Sequence, residues 1–370
     1  MDQAQASFFT SARARITLQD RLAIDDRPAG FDYLRVLLAL LIMLDHSVIV
    51  CLGQPAQLAL FQGFSRPFIT CLVPMFFALS GFLIASSLIR CRTLVTFVGL
   101  RALRIVPALA VDTIFCAVIL GPFYTSYSLR DYFLHPDFYK YFFNVIGYIH
   151  YHLPGVFADN PSGYVNAQLW TIPYELDCYL VLSLLAALGL HRKRLWFLVT
   201  TAMIVIGHLV YVTFKPAELN DVWQLLLPCF LVSVCAYLYR DKIEWSGRLA
   251  AVSVFVGLVL LSQQNSLMVL ASIPLSYLTI WLGLFRLQRD PIIRSGDYSY
   301  PLYLYSFPIQ QALYVSLQVC RVWWLNMFFA VPVTFLLAAF SWHLVEKPSQ
   351  KFRYRLFAAE RFFFPEPKTR

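Results

Sequence analysis

The chain has 370 residues, 59% of them hydrophobic and 14% charged, with a net charge of +9 and a mean hydropathy of +0.62. A soluble domain carries about 25% charged and 45–50% apolar residues, so this composition excludes an ordinary soluble enzyme or binding module and makes lipid the solvent. The positive excess would suit nucleic acid or anionic lipid equally, and its position along the chain decides between them.

Residues 1–30 are polar and mixed in charge, and no small-residue cleavage site follows the first apolar run. The expectation is an uncleaved first helix behind a cytoplasmic segment. About 20 apolar residues are needed to cross ~30 Å of hydrocarbon. Ten runs meet that need, at 32–52, 67–89, 102–121, 168–190, 195–214, 221–239, 247–263, 267–285, 299–319 and 324–344. The seventh and eighth are separated only by Gln263-Gln264-Asn265. A shorter aromatic stretch at 139–151 reads as interfacial. The predicted fold is an all-α integral membrane protein, a bundle of about ten transmembrane helices with a longer aromatic external loop. Its parts are the N-terminal segment 1–30, a polytopic domain 31–345 and a basic cytoplasmic tail 346–370.

Lys and Arg stay on the cytoplasmic side. With the N-terminus inside, the cytoplasmic segments hold 25 of the 30, and only Arg66, Arg130, Lys140, Lys215 and Arg321 fall outside. One helix more or fewer would scramble that segregation, so it supports the number of spans and puts both termini in the cytoplasm. It also accounts for the basic charge without nucleic acid. The eight cysteines form no CxxC pair, so neither a disulfide framework nor a zinc site is expected. There is no internal repeat, low-complexity tract or soluble domain.

Ionisable residues inside spans are costly and are read as functional until shown otherwise. The first span carries Asp45 and His46. His46 lies eleven residues past Arg35, about 16 Å along the helix and on the same face. A midplane imidazole can exchange a proton near neutral pH, or it can simply pack against a neighbouring helix. Asp45 points about 100° away from it. Arg101 and Arg104 share a face at the start of the third span, where guanidinium groups either bind phosphate bidentately or anchor the helix at the boundary. Asp112, on the same face, is a candidate partner for another helix's cation. Glu175 enters the fourth span from outside, where it could orient His46 or face a wet vestibule. His208, beside Gly207, reads as a packing residue. The external loop holds fourteen aromatic residues between Phe123 and Tyr164, with His135, His150 and His152. Such rings suit the apolar faces of sugars or form an interfacial belt. No metal ligand set is apparent.

Six segments resemble one family. They are Phe31-Asp-Tyr-Leu-Arg35 with His46; Val73-Pro-Met-Phe-Phe-Ala-Leu-Ser80-Gly81-Phe-Leu-Ile84; Arg101-Ala-Leu-Arg104-Ile-Val-Pro107; Leu169-Trp-Thr-Ile-Pro-Tyr-Glu175; Tyr298-Ser-Tyr-Pro-Leu-Tyr-Leu-Tyr305-Ser-Phe-Pro308; and Trp342-His-Leu-Val-Glu346-Lys-Pro348. In this order, across nearly the whole chain, they resemble the acyltransferase-3 family of membrane proteins, which includes O-acetylases of bacterial O-antigens and exopolysaccharides. The resemblance implies an inner-membrane O-acyltransferase. Cytoplasmic acyl-CoA would be the co-substrate, with no bound cofactor, and a free or lipid-linked glycan would accept an acetyl or succinyl group. It implies His46 as the leading catalytic residue and maps the family's fourth-helix glutamate onto Glu175. Arg101 and Arg104, with Arg35, would handle the donor. The chain departs from the family pattern at Asp45, where an aromatic residue is usual, at Leu176, where a second acid is usual, and at Ser306, where histidine is common. Some members carry a hydrolase-like domain, and none is expected here. The rival reading is a transporter or flippase for a lipid-linked sugar, although paired broken helices in two matching halves are absent. The acyl group, the glycan and the oligomeric state stay open.

Overall fold

The computed structural model describes residues 16–25, 27–215, 221–263 and 265–364. Residues 1–15 of the N-terminal segment, Gln264 and residues 365–370 of the tail lie outside it. Helices occupy all ten expected places: α1 (Ala29–Leu52), α2 (Leu72–Arg90), α3 (Leu94–Ile114), α4 (Thr171–Ala187), α5 (Arg194–Thr213), α6 (Trp223–Leu238), α7 (Gly247–Leu261), α8 (Ser272–Gly283), α9 (Ser299–Ser316) and α10 (Trp323–Ser341). The segments built on α1 to α5, α8 and α10 are long and apolar enough to cross a membrane, seven in all among the described residues. α6 and α7 are apolar but shorter. α9 has 18 residues, and its serines, tyrosines and glutamines hold its apolarity below theirs. Among the described residues, β-structure is limited to two isolated bridges. The fold is all-α, as a chain dissolved in lipid must be when every backbone group is paired within its own segment.

The third span departs most from expectation. It starts at Leu94, not 102, because Thr93 caps it: the Thr93 hydroxyl accepts from Thr96 N–H at 3.2 Å. Glu360 adds a second cap from far along the chain, accepting from the N–H groups of Arg92 (3.0 Å) and Thr93 (2.7 Å). Glu360 belongs to α11 (Arg353–Phe363), a C-terminal amphipathic helix that folds back along α3. At its other end α3 passes through a π-helical turn, Phe115–Leu120.

α9 is the polar axis of the bundle, and Pro308 explains its surroundings. Proline removes one helical N–H and frees the carbonyl four residues earlier, here that of Leu304. The buried side-chain amides of Asn166 (3.0 Å) and Gln168 (2.6 Å) both donate to it, and Gln168 reaches the Tyr303 carbonyl as well. Two residues past the proline, Gln310 donates to the Met43 carbonyl at 2.9 Å and ties α9 to α1.

α2 packs closest on α6, at Gly81. A Cβ there would run into the backbone carbonyl of Phe230, which cannot swing aside as a side chain can. Overpacking typically costs 1–3 kcal/mol. Gly81→Val is expected at the top of that range, about 3 kcal/mol, with a lower melting temperature in detergent. Wild-type melting would mean the two helices are free to separate.

Candidate active site

A linked set of cavities runs from the arginine-bearing end of the bundle to its middle. The first is a cleft of about 580 Å³ walled by Arg27, Arg35, Arg90, Arg101, Arg104 and Arg353. These come from the start of α1, the end of α2, the start of α3 and α11, so six cations converge from segments far apart in sequence. Arg353 shows that the basic tail reaches the cleft.

Asp297, just before α9, is the anion that pairs with three of these arginines. It meets Arg104 at 2.9 Å, Arg35 at 3.1 Å and Arg27 at 3.6 Å, and its other oxygen accepts from the Ser299 hydroxyl at 2.7 Å. Burial pushes the Asp297 carboxyl up, but the Arg104, Arg35 and Arg27 guanidinium groups outweigh burial and hold it well below the usual carboxylate range. Arg101 behaves differently from Arg104. It donates to the Ser87 hydroxyl at 3.3 Å and meets no carboxylate among the described residues. The two arginines therefore share a wall, one paired and one free to take an anion.

Arg35, Ser80 and Arg104 also line the next chamber, of about 100 Å³, where Glu175, Tyr300 and Tyr303 face them. The Tyr179 hydroxyl donates to Glu175 from one turn along α4. Gln168 and Thr171 hold the Tyr303 hydroxyl at 2.8 and 2.9 Å. Glu175 therefore belongs to the arginine side of the site. The expected bond between Glu175 and His46 is not formed, and the two line different chambers. Ile42 and Val73 line both chambers, so the two adjoin.

The innermost cavity, about 40 Å³, holds His46 and Asp45 together with Gln57 and Trp170. Phe307 of α9 stacks edge-on against the imidazole, with ring centres 5.4 Å apart. Gln57, from the short helix Gln54–Leu60, donates to Asp45 Oδ2 at 2.7 Å. His46 Nδ1 and Asp45 Oδ1 are buried and bond to no described residue, so both can engage a ligand. The roughly 100° between neighbouring side chains does not keep Asp45 out of the histidine's cavity.

Other expectations resolve differently. Asp112 is fully buried, but its partners are Asn166 Nδ2 at 3.0 Å and the Cys116 thiol at 3.8 Å, with no cation among the described residues. An amide donor satisfies a carboxyl oxygen without bringing a second charge into the membrane. His208 packs between Tyr211 and Trp223, as a packing residue does. Ser306, where the family often has histidine, donates to the Tyr303 carbonyl at 3.1 Å. Asp297 and Tyr179 were missed by sequence reasoning. Tyr179 lies at i+4 from Glu175, a spacing that puts two side chains on one face.

Glu175→Gln keeps the bond from Tyr179 but removes the charge facing the arginines. A hydrogen bond to a charged group is worth about 1.5–3 kcal/mol, so the turnover number is expected to fall about 10- to 100-fold with melting unchanged. An unaltered turnover number would reduce Glu175 to a packing role.

The acyltransferase domain model of the acyltransferase-3 family matches residues 29–344. An O-acetyl transferase of Shigella phage Sf6 is 26% identical over 329 residues, covering 86% of this chain and 94% of that protein. Nodulation protein 10 of Rhizobium leguminosarum bv. viciae is 28% identical over 374 aligned positions, covering 89% of this chain and 95% of that protein. No solved structure matches the chain. The match takes in His46, Arg35, Arg101, Arg104, Glu175 and Asp297, and the chain belongs to the acyltransferase-3 family of membrane enzymes, which transfer acyl groups other than aminoacyl groups.

Proposed function

We propose that the protein is an inner-membrane O-acyltransferase with both termini in the cytoplasm. It moves an acyl group, acetyl or succinyl, from cytoplasmic acyl-CoA to a hydroxyl of a cell-surface or exported glycan. The observation that carries this reading is the linked run of cavities, arginine-lined at one end and ending on His46. Arg101 and its neighbours would take the phosphates of coenzyme A, since guanidinium forks fit phosphate oxygens. The pantetheine arm would pass Arg35 and Arg104 into the middle chamber, bringing the thioester carbonyl toward His46.

His46 then takes the proton of the acceptor hydroxyl as the oxygen attacks that carbonyl. The C–S bond breaks, an ester C–O bond forms, and the proton passes to the departing thiolate. In a two-step variant the imidazole accepts the acyl group first. Asp45, held by Gln57, would align the acceptor hydroxyl or stabilise the imidazolium. The name of the phage relative, an O-acetyl transferase, supports oxygen as the acceptor atom.

The test is acyl transfer by purified protein in liposomes, with labelled acetyl-CoA and succinyl-CoA and a panel of glycans. Label on the glycan, with release of an equal amount of coenzyme A thiol, is expected. Folded protein that consumes no thioester with any glycan would overturn the reading.

A further inference from the structure

The other end of the bundle carries a cleft that the transfer chemistry does not use. It lies about 30 Å from the arginine cluster, the length of the α3 segment from Arg104 to Tyr124. Its volume is about 420 Å³, and its walls include Tyr124, Phe157, Asp159, Asn160, Tyr314 and Arg321. We infer that this cleft is a glycan subsite, holding a sugar of the acceptor chain beyond the one that is acylated. The inference rests on the proposed glycan acceptor and assigns the place where that acceptor is recognised.

The lining combines ring faces with free polar groups, as a sugar with apolar faces and a hydroxyl rim requires. The Tyr124 ring is backed by the buried Phe157 ring, centres 5.2 Å apart, and the exposed Phe123 extends the aromatic rim. Asp159 is exposed and makes no hydrogen bond or ion pair among the described residues. The Arg321 guanidinium lies over the Tyr314 ring, 5.6 Å from its centre, and meets no carboxylate among them. Opposite charges in one cleft, unpaired with each other, leave a carboxylate acceptor and a guanidinium donor for ligand hydroxyls.

The walls are preorganised. Thr125 donates to the Pro154 carbonyl at 2.6 Å, and Ser126 N–H to the Gly155 carbonyl at 3.0 Å. Asn160 is fixed to Gln311 of α9 at 2.7 Å, and the Tyr124 hydroxyl to Ser316 at 2.8 Å. Phe157 has φ 54°, the one non-glycine positive φ among the described residues. Strain of this kind is found where surrounding structure enforces it, often at ligand sites.

α9 connects the cleft to the chemistry. Phe307 touches His46, and Tyr314 lies seven residues further, on the same helical face and roughly 10 Å along. That is the reach of a short oligosaccharide, not of a single hydroxyl.

The experiment uses full-length protein in liposomes with tri- to pentasaccharides of hexoses, deoxyhexoses and N-acetylhexosamines. Binding is followed by saturation-transfer NMR and transfer by acceptor kinetics, for wild type, Asp159→Ala, Arg321→Ala and the control Arg130→Ala. Each cleft substitution is expected to raise the acceptor KM at least tenfold, with kcat within twofold, and to abolish the NMR signal, while the control behaves as wild type. Wild-type transfer with KM unchanged in both variants overturns the subsite and leaves the transferase reading intact. Binding that both substitutions abolish, in a protein that transfers nothing, upholds the subsite and overturns the transferase reading. Neither binding nor transfer with any glycan overturns both.

Discussion

His46→Ala is expected to lower acyl transfer by about 10³-fold, within the range of roughly 10²–10⁴ contributed by a positioned general base. The histidine is buried at 7% exposure, edge-on to Phe307, and its Nδ1 is bonded to no described residue. An unpaired buried polar atom costs about 1–3 kcal/mol, which a hydrogen bond from a bound acceptor hydroxyl would recover. Truncation to alanine removes that unpaired atom along with the ring's contact to Phe307, so the two effects on stability oppose each other and melting should shift little. Coenzyme A binding should also persist, since the arginine cleft shares no lining residue with the histidine's cavity. The decisive pattern is therefore lost transfer with retained donor binding and retained melting. Near-normal transfer by His46→Ala would move the chemistry to another residue.

The helices were legible because lipid imposes a simple rule on sequence. Most spans are long apolar runs, and most arginines fall in the segments between alternate pairs of them. Within the spans, His46, Arg35 and Arg104 could be picked out because charge in an apolar run is conspicuous. What escaped was the pairing between segments. Asp297 sits in a polar linker, where a carboxylate looks ordinary, and only the arrival of Arg27, Arg35 and Arg104 makes it the centre of a cluster. Position along the span left Glu175 either to orient His46 or to face a wet vestibule, whereas the helix places Tyr179 within its reach. Asp112 suggested a cation but took an amide from the 166–168 segment, whose amides are drawn inward by the carbonyl that Pro308 frees. The start of α3 depended on Glu360, at the far end of the chain. Each miss is a contact between residues whose own neighbourhoods carry no sign of it.

Asp297→Asn is expected to destabilise the resting protein and to increase how strongly coenzyme A stabilises it. The carboxylate and its two nearest arginines are mostly buried, with side-chain exposures of 13%, 16% (Arg35) and 26% (Arg104). Removing one partner of a buried charge group typically costs about 3–5 kcal/mol. With some solvent reaching this cluster, about 3 kcal/mol is expected, read as a lower melting temperature. The same substitution removes an anion that competes with donor phosphates for Arg35 and Arg104, so saturating coenzyme A should raise melting more in the variant than in wild type. The pH dependence follows from the direction of the shift. The folded carboxyl titrates below its unfolded value of about 3.9, so its stabilisation is complete above that value and is lost as pH falls through the folded one. The gap in melting temperature between wild type and variant should therefore hold constant from pH 8 to pH 5 and narrow only below about pH 4. A gap that closes by pH 6, or a variant that coenzyme A stabilises no more than wild type, would show that Asp297 does not stand where the donor's phosphates must go.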